Sequence, residues 1–456
     1  MKNLKKSRTL SRRKFIGKST VALTAFTVIP RFVLGGSGFT APSDKLNIGC
    51  IGVGGKGRAD VHGVISENII ALCDVDQVRA EERSGLFDNR NVYETFPKAR
   101  RYVDFREMLE KEKDLDAVTI STPDHTHAVI TMAAMKKGKH VYTQKPLTRT
   151  IDESRKLVEF AKTAGLATQM GNQGHANEGP RILNELIWQG AIGKVHEVHC
   201  WTNRPVWPQG IKLRPSQSPQ IPATLDWDLW LGPAPSRPYH PDYVPFNWRG
   251  WWDFGVGALG DMGCHIIDYP IWALKLTYPS SIEAYSSPAY EESPPQASLI
   301  TYTFNSGLDG SPVKLVWYDG GLKPNMPEGL GYEDNLWNSI GGAIFKGETG
   351  VIVYGHHRPK PVLLVKGKKV DYGKPKEMIP RSIGHYKEWI EEIKGSKNRS
   401  MVNFDYAGPL NETVLLGNVA LRAGQKLIWD AENMKVANLP EANKYLAEEY
   451  RSGWSL

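Results

Sequence analysis

Cysteine and long apolar runs are scarce in this sequence of 456 residues. Its four cysteines lack metal-type spacing and form no dense disulfide framework, which excludes a zinc module and a disulfide-stabilised secreted domain. They stand in apolar or strand-like surroundings and are predicted to be buried thiols, with a Cys50–Cys73 bridge as the alternative. The four are Cys50, Cys73, Cys200 and Cys264. No run approaches the ~18–20 apolar residues of a membrane span, so no stable membrane anchor is predicted.

A net positive charge is also lacking once the N-terminus is set aside. The formal net charge is +8, but residues 1–43 contain nine lysines and arginines and no acidic residue. The rest of the chain is therefore close to neutral. It has no basic footprint of the kind that binds nucleic acid, so no nucleic-acid partner is predicted.

Residues 1–43 have the parts of an export signal: a basic start, an apolar run over 21–29 and small residues around 35–41. The segment SRRKFI at residues 11–16 resembles a twin-arginine signal. The alternative is a basic helix in a cytoplasmic protein. We expect export to the periplasm through the twin-arginine translocase, which carries folded proteins and so lets a cofactor bind first.

The pattern of strands and helices changes near residue 171. From Leu46 to Gly171 the two alternate, which predicts βαβ units and a parallel sheet. Beyond it, longer alternating segments predict an open, largely antiparallel sheet, with covering helices over 382–394 and 407–422. The fold class is thus α/β plus α+β: a Rossmann domain over 44–171 and a substrate and oligomerisation domain over 172–456.

Residues 201–252 form a predicted irregular excursion within the second domain. They hold seven of the 14 tryptophans and ten of the 30 prolines. Aromatic faces can stack on sugar rings, but packing of the excursion onto its own domain is the favoured interpretation for most of them. Trp251 and Trp252, which precede a helical segment, are candidate substrate contacts.

The segment GVGGKG at residues 52–57 follows the first predicted strand and opens a helix. In this context Gly52 permits a tight turn, Gly54 allows the backbone to approach a pyrophosphate, and Gly57 permits close helix packing. Asp74 ends the second predicted strand and can bind the adenosine ribose. Its negative charge would repel the 2′-phosphate of NADP and therefore favours NAD. NADP is the alternative cofactor.

Three further motifs follow later strands or open a helix. Thr122, Pro123 and His127 belong to a polar loop; His125 and His127 could suggest a metal, but without a third ligand we predict a cofactor-edging loop and no metal site. Lys145 precedes a proline, which directs it toward the same crevice.

Asp261 and His265 would share one helix face and could move the proton of an alcohol. Asp261 as an N-cap and His265 as a core histidine are the alternatives.

Together these motifs resemble the Gfo/Idh/MocA family of oxidoreductases, from about residue 46 to the C-terminus. The resemblance implies that Lys145, Asp261 and His265 form the catalytic set, with Asp261 orienting and charging His265. It also implies sugar or polyol substrates and a homo-oligomer. The family commonly has Glu-Lys-Pro where this chain has Gln144-Lys145-Pro146. The change removes a negative neighbour of Lys145 and is expected to alter its positioning.

The sequence therefore predicts an NAD-dependent oxidoreductase acting on a CH–OH group of a sugar, polyol or glycoside. Export implies a tightly bound cofactor, because the periplasm supplies no free nicotinamide pool. A redox-neutral glycoside hydrolase or lyase that passes through a ketone is one alternative, and a non-catalytic NAD-retaining binding protein is another. Asn172, His175 and Arg181 follow the last Rossmann strand and are additional candidate substrate contacts.

Overall fold

The computed structural model of the chain describes residues 44–81, 90–331, 334 and 339–456, and the predicted export signal lies outside them. Residues Leu46–Leu456 form one unit that contains two β-sheets. Among the helices of these described ranges, none is long and apolar enough to cross a membrane. All four cysteines are buried free thiols, as the sequence predicts.

The first sheet is parallel and has six strands within the described residues. They are β1 (Asn47–Ile51), β2 (Asn68–Cys73), β3 (Arg100–Tyr102), β4 (Ala117–Ile120), β5 (His140–Thr143) and β6 (Thr168–Met170). Their spatial order is β3-β2-β1-β4-β5-β6. This is the order of a Rossmann fold, in which ligands bind at the carboxyl ends of the strands where the order reverses, here between β1 and β4.

Helices connect these strands, as the alternation of the sequence predicts. They are α1 (Lys56–Gly63), α2 (Gln77–Glu81), α3 (Val92–Thr95), α4 (Phe105–Lys111), α5 (Asp124–Lys136) and α6 (Ile151–Ala164). The two ends of α6 are set by their capping residues. Thr150 and Glu153 form a reciprocal capping box at its start, and Gly165 ends it in the left-handed conformation with φ 64°.

The second sheet is open and mostly antiparallel. Its strands are β7 (Val195–Thr202), β8 (Ser281–Ser286), β9 (Ser298–Phe304), β10 (Val313–Tyr318), β11 (Gly341–Gly347), β12 (Val351–Gly355), β13 (Val362–Val365), β14 (Lys368–Val370), β15 (Leu427–Asp430) and β16 (Lys435–Val436). They lie in the order β14-β13-β12-β11-β7-β10-β9-β8-β15-β16. Every neighbouring pair is antiparallel except β7 with β10, so the predicted fold class is confirmed.

The remaining helices follow β6, and several of them contribute to a core shared by the two sheets. They are α7 (Glu178–Trp188), α8 (Trp227–Leu231), α9 (Gly257–Ile266), α10 (Asp268–Leu274), α11 (His385–Ile393) and α12 (Phe404–Ala423). One continuous core contains Leu157 of α6, Leu259 of α9, Ile300 of β9 and Leu416 of α12. In α11, Trp389 packs into the Rossmann core with Cys50, Val61 and Tyr142. Helix α9 packs on α12 within the shared core that contains Leu259 and Leu416.

Candidate active site

A cavity of about 660 Å³ opens at the carboxyl ends of the parallel strands and is lined by residues from both sheets' domains. From the Rossmann side come Gly52, Gly54, Asp74, Thr122, Pro123 and Lys145. From the other side come Asp261, His265, His356 and His357, with the aromatic side chains of Trp207, Trp230, Phe246, Trp248 and Trp454. The structure therefore brings the three predicted catalytic residues into one cavity with the glycine loop.

The glycine loop has the shape of a dinucleotide cradle. Gly52 has φ +76°, and a Cβ there would lie 2.7 Å from the backbone of Ser121. A Cβ on Gly57 would lie 1.8 Å from the Gly52 carbonyl oxygen, so only glycine lets α1 begin so close to the loop. Asp74 Oδ2 accepts hydrogen bonds from the backbone N–H groups of Val53 (2.9 Å) and Gly54 (3.1 Å). These residues fit NAD, whose pyrophosphate binds at such a helix N-terminus.

Lys145 and Asp261 form an ion pair across the cavity wall. Lys145 Nζ donates to the Asp261 carboxylate and to its backbone carbonyl, both at 2.8 Å. Burial by itself would raise the pKa of Asp261, but the positive charges of Lys145, Arg249 and Arg204 together hold that pKa below its usual value. Asp261 is therefore ionised at neutral pH. Because α9 begins at Gly257, Asp261 lies inside the helix, and the N-cap alternative is wrong.

His265 is held by Asn172, and not by Asp261 as the four-residue spacing on the helix predicts. His265 Nδ1 lies 2.7 Å from Asn172 Oδ1, while Asn172 Nδ2 donates to the Cys264 carbonyl at 2.8 Å. The second bond fixes the amide so that its oxygen faces the imidazole, and Nδ1 must then carry the hydrogen. Burial, with the charge of Lys145 second, lowers the pKa of His265 well below its usual range. A neutral imidazole with its lone pair on Nε2 follows.

Asn172 is thus a positioning residue, and its replacement gives a prediction. We expect Asn172→Leu to lower kcat by about 10–10²-fold, because the imidazole loses its fixed orientation and tautomer. Asn172→Asp restores an acceptor but places a negative charge beside the ring, so the acid limb of the kcat/KM profile should move to higher pH. The pH–rate profiles of the two variants measure the effect. If both variants lose activity equally and neither shifts the acid limb, Asn172 has a merely structural role.

Gln144 occupies the position of the family's usual glutamate, and its side chain binds a carboxylate instead of Lys145 Nζ. Gln144 Nε2 donates to Asp60 Oδ2 at 2.8 Å. Asp60 also accepts from Ser121 Oγ at 2.8 Å and from Tyr386 OH at 2.6 Å. A carboxylate at position 144 would face that of Asp60 at close range. The amide is therefore matched to this buried acid, and Lys145 takes its position from Asp261.

Two predicted cofactor residues, Gly57 and His127, lie outside the cavity lining, and Gly57 acts through the close packing of α1. His127 is 1% exposed, and its ring nitrogens lie 2.7 Å from the Pro146 carbonyl oxygen and 2.8 Å from that of Thr122. Burial lowers the pKa of His127 to about 4, and the neutral ring donates to one of these two carbonyls. The side chain of His127 points into the interior from the first turn of α5. It contacts two loops that line the cavity, but it is not itself part of the lining.

None of the five predicted substrate contacts lines the cavity. Asn172 acts through His265, as described above. His175 is buried against Asp268, with His175 Nδ1 2.9 Å from Asp268 Oδ2. Arg181 is 1% exposed and donates to the His175 carbonyl at 2.8 Å.

The two tryptophan candidates belong to the packing of the irregular excursion. Trp251 is 1% exposed and lies in a core cluster with Trp227, Tyr243 and Phe254. Trp252 is 7% exposed and donates to the Tyr290 carbonyl at 3.3 Å. The packing interpretation is correct for both, and different aromatic residues of the excursion face the cavity.

Sequence reasoning missed a group of titratable residues in the same cavity. His356 and His357 directly follow β12, and Tyr269 OH lies 2.5 Å from His356 Nδ1. The ring centroids of His265 and His356 are 5.4 Å apart. Burial lowers the pKa of His356 to about 3 and raises that of Asp124 to about 7. Paired histidines directly after a predicted strand were the available signal for this part of the site.

Fold and site define the chain as an NAD-binding oxidoreductase of two domains, and family models agree. Residues 46–172 match the model "Oxidoreductase family, NAD-binding Rossmann fold", and residues 188–316 match "Oxidoreductase family, C-terminal alpha/beta domain". Both models describe the Gfo/Idh/MocA family, and together they match more than half of the chain. The chain belongs to the Gfo/Idh/MocA oxidoreductase family.

Curated relatives resemble a limited part of the chain. Glycosyl hydrolase family 109 protein 1 of Shewanella sp. (strain MR-4) is 30% identical over 178 residues, which is 38% of each protein. Levoglucosan dehydrogenase of Pseudarthrobacter phenanthrenivorans is 28% identical over 166 residues, 36% of this chain and 34% of that protein. The matches thus span under two fifths of these relatives' own length.

Solved structures resemble the chain over most of its length. The WlbA dehydrogenase from Bordetella pertussis, in complex with NADH and UDP-GlcNAcA, has a TM-score of 0.60 at 16% identity and covers 85% of this chain and 99% of its own. An aldose-aldose oxidoreductase from Caulobacter crescentus, complexed with glycerol, has a TM-score of 0.55 at 16% identity, with coverages of 84% and 100%. At these identities the likeness shows the fold.

Proposed function

We propose that the protein transfers hydride between NAD and a secondary alcohol of a sugar, polyol or glycoside. The observation that carries the proposal is the convergence of Lys145, Asp261 and His265 on one cavity with the glycine loop. Bound NAD supplies the site that accepts or returns the hydride. The chain's own residues must then bind the alcohol and move its proton.

The arrangement of the three side chains supports a division of roles. Neutral His265 has an acceptor at Nε2 and can take the hydroxyl proton as general base. The Lys145 ammonium is held by Asp261 and can stabilise the oxygen of the alcohol as it becomes a carbonyl. Asp261 keeps Lys145 in place, and the aromatic side chains that line the cavity limit the access of water. In the reverse direction, protonated His265 returns the proton to the oxygen, while Lys145 stabilises the negative charge that develops there.

A second candidate is a redox-neutral glycoside hydrolase or lyase, which the relatives named as glycosyl hydrolases favour. Oxidation at one carbon would acidify its neighbour; elimination would release the aglycone, water would add, and the ketone would be reduced again. The same cavity could perform the oxidation step of both candidates. The two differ in whether NADH accumulates.

We further propose that the protein is exported through the twin-arginine pathway, on the basis of residues 11–16. A tightly bound NAD is the consequence, since the periplasm offers no free nicotinamide. Changing Arg12 and Arg13 to lysine should retain the protein in the cytoplasm. Fractionation of cells that express the wild type and this variant measures it, and equal periplasmic amounts would contradict the proposal.

Mass spectrometry of the released cofactor tests the proposed function. The purified protein without its leader is incubated with a panel of sugars and glycosides, and the cofactor is then extracted. Conversion of bound NAD to NADH by one substrate supports the dehydrogenase. Unchanged NAD with a released aglycone moves the assignment to the redox-neutral enzyme. Retained NAD with neither change would favour the non-catalytic binding protein.

A further inference from the structure

Two arginines place an excess of positive charge at the end of the cavity where Lys145 lies. Arg204 follows β7, and Arg249 lies in a short 3₁₀ turn over Asn247–Gly250. Their Nε atoms are 3.6 and 3.5 Å from the carboxylate oxygens of Asp261, which also pairs with Lys145 at 2.8 Å. Three cations thus share one ionised carboxylate.

The other charged groups at this end leave that excess in place. Asp124 lines the cavity, but burial raises its pKa to about 7, so it is partly protonated at neutral pH. Lys56 pairs with Asp60 beside the glycine loop. The pyrophosphate of a dinucleotide binds at that loop and at the N-terminus of α1, and so brings no second anion to the two arginines beside Asp261.

Arg249 is held in a geometry that suits an oxyanion. Its guanidinium carbon lies 4.1 Å from the ring centroid of Trp248 and 4.7 Å from that of Phe246, and both rings line the cavity. Stacking of this kind fixes the planar guanidinium before a ligand arrives. A fixed guanidinium fork binds a carboxylate through two parallel hydrogen bonds. The neighbouring rings offer apolar faces for a pyranose.

We propose that Arg204 and Arg249 form a subsite for the carboxylate of an acidic sugar, so that the substrate is a uronic acid or a uronoside. The inference rests on the proposed hydride transfer and narrows its substrate class. The carboxylate binds the two guanidinium groups, and the ring lies against the aromatic wall. The reacting hydroxyl can then approach Lys145 and His265.

The test compares two matched ligands on the NAD-loaded protein: methyl β-glucuronide and methyl β-glucoside. Calorimetry gives each Kd, and NADH formation is followed in parallel. We expect the glucuronide to bind at least about 10-fold more tightly, and Arg249→Gln to remove about 10–100-fold of that affinity. Arg204→Gln is a second variant, and it should also lower the affinity for the glucuronide. Arg214→Gln is the matched control, because Arg214 pairs with Glu292 at 2.6 Å outside the cavity lining.

The outcomes separate this inference from the proposed function. Equal affinity for the two ligands, or a preference that neither cavity variant reduces, overturns the subsite; if neutral sugars still reduce the bound NAD, the proposed function stands. Tighter binding of a sulfated or phosphorylated sugar than of the glucuronide overturns the carboxylate assignment. Arginine-dependent binding of the glucuronide without NADH or aglycone from any ligand supports the subsite and contradicts hydride transfer.

Discussion

Replacing Lys145 by methionine should lower kcat by about 10²–10⁴-fold while the Kd for NAD changes little. The methionine keeps the apolar stem but removes the ammonium that Asp261 holds toward the cavity. The oxygen of the reacting alcohol then loses its charged partner, and the loss falls on the chemical step. Steady-state kinetics with the substrate found in the cofactor experiment, together with calorimetry for NAD, measures the effect.

The same strand provides the control for this variant. Lys139 directly precedes β5, at the end opposite Lys145, and its Nζ donates to the backbone carbonyls of Lys113 and Leu115 at 3.0 and 2.7 Å. Lys139→Met should leave kcat within about threefold, since it removes a lysine remote from the cavity. If Lys145→Met behaves as Lys139→Met does, Lys145 has no part in the reaction.

Replacing His265 by glutamine should have an effect of similar size, about 10²–10⁴-fold on kcat/KM, because an amide cannot accept the alcohol proton. The wild-type pH profile should carry a second signature. Burial, with the positive charge of Lys145 second, holds the pKa of His265 well below its usual range. The base stays neutral as the pH falls, so activity is lost only when the pH passes through that lowered pKa.

An exposed histidine gives the comparison for His265. His196 lies on the solvent side of β7, and His196→Gln should leave both the rate and the acid limb unchanged. A wild-type acid limb above the ordinary histidine pKa of about 6.5 would contradict a neutral, buried base. So would a His265→Gln variant that retains full kcat/KM.

The fold and one side of the site could be predicted because their signals are local. Strand and helix periodicities give the alternation that makes a parallel sheet. Gly52 and Asp74 directly follow strands of that sheet, and Lys145 comes two residues after the end of β5. The carboxyl ends of parallel strands meet at one edge, so residues at those positions are brought together whatever the rest of the chain does.

The partners of His265 and Asp261 could not be predicted in the same way. A spacing of four residues places both on one face of α9, but it does not say which neighbours compete for them. Asn172 reaches His265 from the loop after β6, and Lys145 reaches Asp261 from the loop after β5. These pairings depend on how α9 docks against the sheet, which is a property of packing.

The residues missed altogether come from the second sheet and its excursion. His356 reaches the cavity only because β12 lies two strands from β7 in an order that no local pattern specifies. Aromatic composition likewise marks the excursion but does not tell which rings face the cavity. Trp251, the predicted contact, is packed in the core, whereas Trp248 lines the cavity. Arg204 and Arg249 gave no sequence signal, because their common partner Asp261 is on a different element.

The most direct test of hydride transfer is the fate of the hydrogen on the substrate's carbinol carbon. The NAD-loaded protein is mixed with substrate deuterated at that carbon, quenched within one turnover and analysed by mass spectrometry of the extracted nicotinamide. We expect one deuterium on the reduced cofactor in the wild type and almost none, in the same time, with Lys145→Met. Product formed while the cofactor stays unlabelled and oxidised at every time point would contradict it.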